Sequence, residues 1–181
     1  MSTTTLTWVP ALDRPDLLAE PVAAALRALA PDDAARVLVA EIDANVADTA
    51  ALVEASDVAL EECANCVLVA GRRDGEQRVA AALVLGTHRA DVNGLVKRTL
   101  DVRKASFLPH DDAVAASGME HGGITPVGLP GGWRLLVDAG VAALPRAVVG
   151  SGVRRSKLAL PGALLARLPG AEVLADLGRP A

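Results

Sequence analysis

The chain has 181 residues, of which 51% are hydrophobic, and a formal net charge of −4. This length suffices to bury one sizeable core and predicts a single domain, while the acidic balance excludes a protein that attracts nucleic acid through its overall charge. Because the chain has only two Trp, one Phe and no Tyr, we expect a core of aliphatic side chains.

The sequence contains no recognisable targeting or membrane signal. No apolar run reaches the roughly 18 residues that a spanning helix needs, and the first residues, MSTTT, lack the basic start and apolar stretch of a signal peptide. Two cysteines are too few for a disulfide framework and are consistent with a reducing compartment. We therefore expect a cytoplasmic protein with no membrane partner.

The first 35 residues are predicted to form an N-terminal arm and a helix, followed by one domain over residues 36–181. Apolar spacing predicts the helix at residues 16–29, before the break at Pro31. Alternating apolar residues at 36–42 predict a strand. Asp48 or Thr49 is then expected to cap a short helix that ends near Ser56.

The middle of the chain contains the clearest local signal. Two apolar runs, residues 65–70 and 77–85, flank the dipeptide Asp74-Gly75, which predicts a hairpin because its turn requires positive φ angles. A helix over 91–100, a strand over 104–107 and a helix that Asp111 caps are expected next.

The remaining elements are short. Strands are expected at residues 134–137, 147–150, 156–160 and 172–174, with a short turn or helix after Asp138 and a helix from Pro161 to Gly170. Strands and helices do not alternate regularly, which favours an α+β fold over a doubly wound sheet.

Cys63 and Cys66 form a CxxC pattern. A thioredoxin-type pair needs a helix N-terminus after its first cysteine, whereas here a β-branched strand follows. A zinc site needs four ligands, and the chain has no second cysteine pair and three scattered histidines. Buried free thiols are the favoured interpretation, with a thiol oxidoreductase as a disfavoured alternative and no metal expected.

Residues 122–128, GGITPVG, form the most informative motif. Glycine lets the backbone approach a ligand closely, and proline fixes φ. Such a loop can direct N–H groups at a substrate oxygen, although Gly/Pro runs are often plain connectors.

A second glycine turn, at residues 150–152, precedes three cations, Arg154, Arg155 and Lys157. Charge clusters are usually solvated surface, but exposed N–H groups beside cations also suit a phosphate. We therefore consider these three residues as contacts for a phosphate.

The order of these motifs from residue 47 to residue 178 resembles the YbaK/ProX family of aminoacyl-tRNA deacylases, which are relatives of the bacterial prolyl-tRNA synthetase editing domain. The resemblance implies a mixed, partly closed, barrel-like sheet flanked by helices, with a cleft for the 3′ end of tRNA. It implies hydrolysis of the ester between a wrong amino acid and the terminal adenosine, with no cofactor. The expected partners are aminoacyl-tRNA and a synthetase, and not DNA.

The resemblance also assigns site residues. Positioning and preorganised hydrogen bonding, rather than a nucleophile, would carry the reaction. The residues expected to act in catalysis are Gly122, Gly123, Thr125 and Asn65. Those expected to bind substrate are Pro126, Gly128, Asp138, Ser151 and Gly152. The phosphate that the three cations would contact is then one of tRNA.

Asn65 departs from the family pattern, which usually has a lysine at this position. A lysine supplies a mobile positive charge, whereas asparagine supplies a neutral amide. Three alternatives remain open: another cation takes the role, the substrate differs, or the protein binds tRNA or a synthetase without hydrolysis.

Overall fold

The computed structural model describes residues 3–181, and it has the α+β fold that the sequence predicts. Its β-strands are short except for one long hairpin. The strands are β1 (Val9–Pro10), β2 (Leu38–Glu41), β3 (Ala64–Arg73), β4 (Glu76–Leu85), β5 (His88–Ala90), β6 (Ala105–Phe107), β7 (Arg134–Asp138), β8 (Ala147–Gly150), β9 (Ser156–Leu160), β10 (Ala171–Leu174) and β11 (Gly178–Pro180).

The helices are equally short, and several are preceded by 3-10 or π turns. They are α1 (Glu20–Arg27), α2 (Pro31–Ala34), α3 (Thr49–Ala55), α4 (Lys97–Leu100), α5 (His110–Ser117), α6 (Ala139–Ala142) and α7 (Gly162–Leu165). Asp48 caps α3, as predicted, by accepting a hydrogen bond from the N–H of Ala50. None of the described helices is long and apolar enough to cross a bilayer.

The strands form three separate sheets. A five-stranded mixed sheet has the order β10-β7-β4-β3-β6, in which β4–β7 and β7–β10 are parallel. An antiparallel sheet has the order β1-β2-β9-β8, and β11 pairs with β5.

The structure does not support the predicted barrel-like closure, because no sheet in residues 3–181 closes on itself. Main-chain pairing joins the two larger sheets at a single bridge within the described residues, between Cys63 and Val148. Beyond this bridge the starts of β3 and β8 line a cleft instead of pairing. The strand order in the sequence could not reveal this separation.

The β3–β4 hairpin confirms the strongest sequence prediction. Asp74 and Gly75 have φ angles of 52° and 85°, so both turn residues are left-handed as such a hairpin requires. Side chains alternate between the two faces of β4, and both faces are buried. Ala81 and Leu83 lie in the core shared with α1, while Ala80 and Val84 pack towards α4.

Several predicted boundaries are wrong. The first helix begins at Glu20, after 3-10 turns at Ala11–Asp13 and Pro15–Leu17. By contrast, the helix expected over 91–100 has the predicted bounds, with Asp91 as its cap, but its first part, Val92–Val96, is a π turn. The helix α5 begins after Pro109, so Asp111 lies in its first turn instead of capping it.

The sequence analysis also missed β5 and β11. Each has three residues, and they pair only with each other within the described chain. Their sequences, HRA and GRP, contain a single apolar residue, Ala90, and a proline. Strands this short carry too little alternation to be detected.

The N-terminal segment is tied to the rest of the fold. β1 pairs with β2, and the N–H of Thr4 donates to the carbonyl of Ala55. The guanidinium of Arg146 lies 4.6 Å from the centre of the Trp8 ring, where a cation–π contact stabilises the pair. Met1 and Ser2, the start of the predicted arm, lie outside the described residues.

Candidate active site

A cleft of about 1150 Å³ opens between the two larger sheets. One wall is the start of β3, including Asn65 and Cys66, and the opposite wall is β8 with Lys157 of β9. The N-terminal turn of α3 and the glycine loop at Gly122 complete the lining. A cleft of this size accommodates a small-molecule-sized group.

Asn65 is half-buried at the start of β3 and lines the cleft. Its Oδ1 accepts a hydrogen bond of 2.6 Å from the hydroxyl of Thr49, the first residue of α3. Its amide nitrogen has no partner among residues 3–181. The bond to Thr49 fixes the side chain and leaves a donor that can serve a ligand.

Gly122 is the residue of the predicted glycine motif that is exposed at the cleft, with a φ of 80°. Its N–H donates to no described residue. By contrast, the N–H of Gly123 donates to the carbonyl of Glu120 at 2.9 Å, and its carbonyl accepts from the N–H of Gly152 at 2.7 Å. Gly123 is therefore part of the loop's internal framework.

Gly123 packs directly against backbone. A Cβ at this position would lie 2.7 Å from the carbonyl carbon of Val153, closer than a real Cβ contact. The two glycine segments, residues 120–123 and 150–153, thus dock on each other through main-chain atoms, and this docking holds Gly122 at the cleft wall.

Of the rest of the motif, Ile124 also lines the cleft, whereas the other predicted site residues do not. Thr125 and Pro126 are buried, and the Thr125 hydroxyl has no hydrogen-bond partner in the described structure. Gly128 has a φ of 80° and lies against the backbone of Pro21. These three residues shape the loop from behind and do not line the cleft.

Ser151 is fully buried behind the cleft wall. Its hydroxyl lies 2.7 Å from that of Ser156, and the Ser156 hydroxyl donates to the carbonyl of Leu17 at 2.6 Å. The neighbouring Gly152 packs against Ala19. These contacts fasten the turn to the segment before α1.

Asp138 lies outside the cleft lining. Its carboxylate caps α6 by accepting from the N–H of Gly140 at 2.8 Å, and it accepts from the N–H of Gly178 at 2.7 Å. The structure therefore uses this buried carboxylate to join β7 to the start of β11.

The structure separates the three cations of the predicted phosphate cluster. Arg154 donates to the carbonyls of His121 and Ala44 at 3.0 and 3.1 Å, and Arg155 donates to the carbonyl of Asp16. Lys157 points into the cleft instead. These residues are neighbours in the sequence, but only Lys157 lines the cleft, and the two arginines bind backbone carbonyls of different segments.

The sequence analysis did not single out the rim of the cleft. Phe107, the only Phe of the chain, is 64% exposed there, and Arg89 lines the same rim. The rings of His110 and His121 meet edge to face with their centres 4.3 Å apart. An exposed Phe in an aromatic-poor chain is a signal, but only the fold shows that it lies at a cleft.

Both cysteines line the cleft and are free thiols. Burial raises the pKa of Cys63 to about 11 and that of Cys66 to about 12. At neutral pH these thiols are therefore protonated and poorly nucleophilic. No group of three His, Cys, Asp or Glu residues suited to a metal ion occurs within residues 3–181.

The main-chain docking predicts a large stability difference between two glycines. Gly123→Ala forces a Cβ against the Val153 backbone and should lower the free energy of unfolding by about 1–3 kcal/mol. Gly131→Ala is the matched control, because a Cβ there meets nothing within 4 Å. Denaturant unfolding of both variants measures the difference; equal stabilities would contradict the docking.

Solved structures share this fold. A protein described as a candidate trans-editing enzyme for prolyl-tRNA synthetase is 21% identical and has a TM-score of 0.73, covering 89% of this chain and 96% of that one. A scaffold protein from computational epitope grafting is 22% identical with a TM-score of 0.72, over 89% and 97% of the two chains. A hypothetical protein is 24% identical with a TM-score of 0.63, over 78% and 90%.

No curated protein gives a significant sequence match. The sequence model of the aminoacyl-tRNA editing domain, however, matches residues 43–168. This segment contains Asn65, Gly122 and Lys157, which come from three separate parts of the cleft wall. The chain belongs to the aminoacyl-tRNA editing domain family.

Proposed function

We propose that this protein is an aminoacyl-tRNA deacylase that acts in trans on mischarged tRNA. The observation that carries the proposal is the editing-domain match over residues 43–168, since this segment supplies most of the cleft. The structural likeness to a candidate trans-editing enzyme supports it.

The proposed reaction is hydrolysis of an ester. A water oxygen attacks the carbonyl carbon, the bond from that carbon to the ribose oxygen breaks, and the ribose oxygen gains a proton. The products are a free amino acid and uncharged tRNA. As the resemblance implies, a hydroxyl of the tRNA assists the proton transfer, so the protein needs no nucleophile.

Two groups of the cleft wall are suited to hold the ester and the water. The amide nitrogen of Asn65 and the N–H of Gly122 are donors that no described residue uses, and both lie at the cleft. Donors fixed in this way stabilise developing charge without reorganisation. The other predicted site residues act indirectly. The loop takes its shape from Thr125, Pro126 and Gly128, and the turn that it packs on is held in place by Ser151 and Gly152.

The RNA end would enter over the rim of the cleft. Phe107 offers an exposed ring, with His110 and His121 beside the same opening and Arg89 as a rim cation. Aromatic rings stack on nucleobases, and arginine attracts phosphates. A local contact of this kind suits a chain with a net charge of −4.

Asn65 favours a second candidate function. Because asparagine stands where the resembling family usually has lysine, the protein could bind tRNA or a synthetase through the same cleft without hydrolysis. The two functions differ in one observable, the release of the amino acid.

A deacylation panel separates these functions. Purified protein is mixed with tRNA charged with Ala, Ser, Cys or Pro, and release of the amino acid is measured against spontaneous hydrolysis. We expect accelerated release from at least one substrate, and we expect Asn65→Ala to lower kcat/KM about 3- to 10-fold, the effect of one lost hydrogen bond. Binding without release would support the binding module.

The exposed ring at the rim predicts an effect on RNA binding. Phe107→Ala should weaken binding of an uncharged minihelix with the tRNA 3′ end by about 1–3 kcal/mol, whereas Phe107→Trp should preserve it. Val173→Ala is the control, because Val173 is 48% exposed but outside the cleft. Titration of a labelled minihelix measures all three, and equal affinities would exclude stacking on Phe107.

The protonated thiols predict that the CxxC pattern is dispensable. With pKa values of about 11 and 12, Cys63 and Cys66 supply no thiolate near neutral pH. Replacing both with Ala should keep deacylation within several-fold of the parent. A complete loss of activity in the folded variant, checked by its thermal unfolding, would implicate a thiol in the reaction.

A further inference from the structure

Lys157 is an unusual residue in the wall of the cleft. It lies on β9 between Ala40 of β2 and Gly150 of β8, so it sits inside a sheet rather than at its edge. The residue is only 8% exposed, and its side chain lines the cleft. Its Nζ donates one hydrogen bond of 2.7 Å, to the carbonyl of Ala47.

This ammonium has no carboxylate partner within ion-pair distance in the described structure. The groups that face it are Cys63, Asp48 and Arg154, and burial is the main cause that lowers the pKa of Lys157. A buried charge is costly unless it is paired or hydrogen-bonded. An ammonium has three N–H donors, and one bond to a carbonyl leaves two for a ligand of the cleft that Lys157 lines, which suits an anion.

We propose that the ammonium of Lys157 is the anion-binding group of this cleft and donates a hydrogen bond to the carbonyl oxygen of the ester as that oxygen becomes negative. This inference rests on the proposed deacylase function. When water attacks, the carbonyl π electrons move onto the oxygen, and Lys157 stabilises the charge without giving up its proton. The electrons return as the bond to the ribose oxygen breaks.

Lys157 also accounts for the asparagine at position 65. Asn65 bonds to Thr49 and Lys157 bonds to Ala47, so both side chains approach the same short segment from different strands. A positive charge is therefore present beside this segment, and β9 rather than β3 supplies it.

The first test is a change of charge at constant length. Lys157→Met should lower kcat for deacylation about 10- to 100-fold, as expected for a lost charge-assisted hydrogen bond, with KM within a few-fold. Lys104→Met, at an exposed lysine outside the cleft, is the matched control. In the double variant Asn65→Lys/Lys157→Met, a lysine from β3 should restore most of the lost rate, which a purely structural role of Lys157 would not allow.

The second test does not depend on hydrolysis. Two adenosine probes are compared: one carries a neutral 3′-linked amide, and the other an anionic tetrahedral phosphonate. The wild-type protein should bind the phosphonate about 10- to 100-fold more tightly than the amide, and Lys157→Met should remove this preference.

The wild-type protein alone provides a check if Lys157→Met fails to fold. The ammonium is present below the pKa of Lys157 and is lost as the pH rises through it, so the preference for the phosphonate should decline on the alkaline side. The nearby Cys63 thiol has a pKa of about 11, so it ionises at a higher pH than that at which an ordinary lysine is deprotonated. Ionisation of Cys63 is therefore not expected to cause the decline.

The outcomes separate the two proposals. Absence of hydrolysis with a phosphonate preference that depends on Lys157 would refute the deacylase function and retain the anion site. Equal affinity for both probes in the wild-type protein, or a folded Lys157→Met variant with wild-type rate and probe preference, would overturn the inference.

Discussion

The main-chain contact between two glycine segments is the constraint on which the site depends. The carbonyl of Gly123 accepts from the N–H of Gly152, and Val153 lies where a side chain on Gly123 would have to go. This contact fixes the loop after Glu120 against the turn between β8 and β9. Because backbone atoms have few ways to yield, Gly122 is held at the cleft wall with an unused N–H.

The cleft itself exists because two sheets stop pairing. A single bridge between Cys63 and Val148 joins them, and beyond it β3 and β8 diverge. A closed barrel would satisfy these edges with hydrogen bonds but would leave no opening for a ligand. The strand ends thus supply two walls of the site and the donor of Asn65, while the loop supplies the N–H of Gly122. The helix α3 covers one end through the bond between Thr49 and Asn65.

Local signals in the sequence predicted local structure well. Asp74-Gly75 specified the hairpin because its turn needs two left-handed residues, and Asp48 specified the start of α3 through its cap. The glycine motif was recognised, but the sequence did not show which of its glycines is exposed at the cleft and which packs against backbone. Close approach of Gly123 to Val153 and exposure of Gly122 depend on a segment 30 residues away, which no local pattern encodes.

The positions of the three cations after the glycine turn could not be predicted from the sequence either. In sequence they form one cluster, but the alternation of β9 turns Lys157 into the cleft while Arg154 and Arg155 fasten loops through backbone carbonyls. A buried charge on a central strand acts in a medium of low effective dielectric. Its electrostatic interaction with a ligand is therefore stronger than that of the same charge on the surface. In the proposed mechanism, the placement of one lysine on a central strand therefore matters more than the number of cations near the cleft.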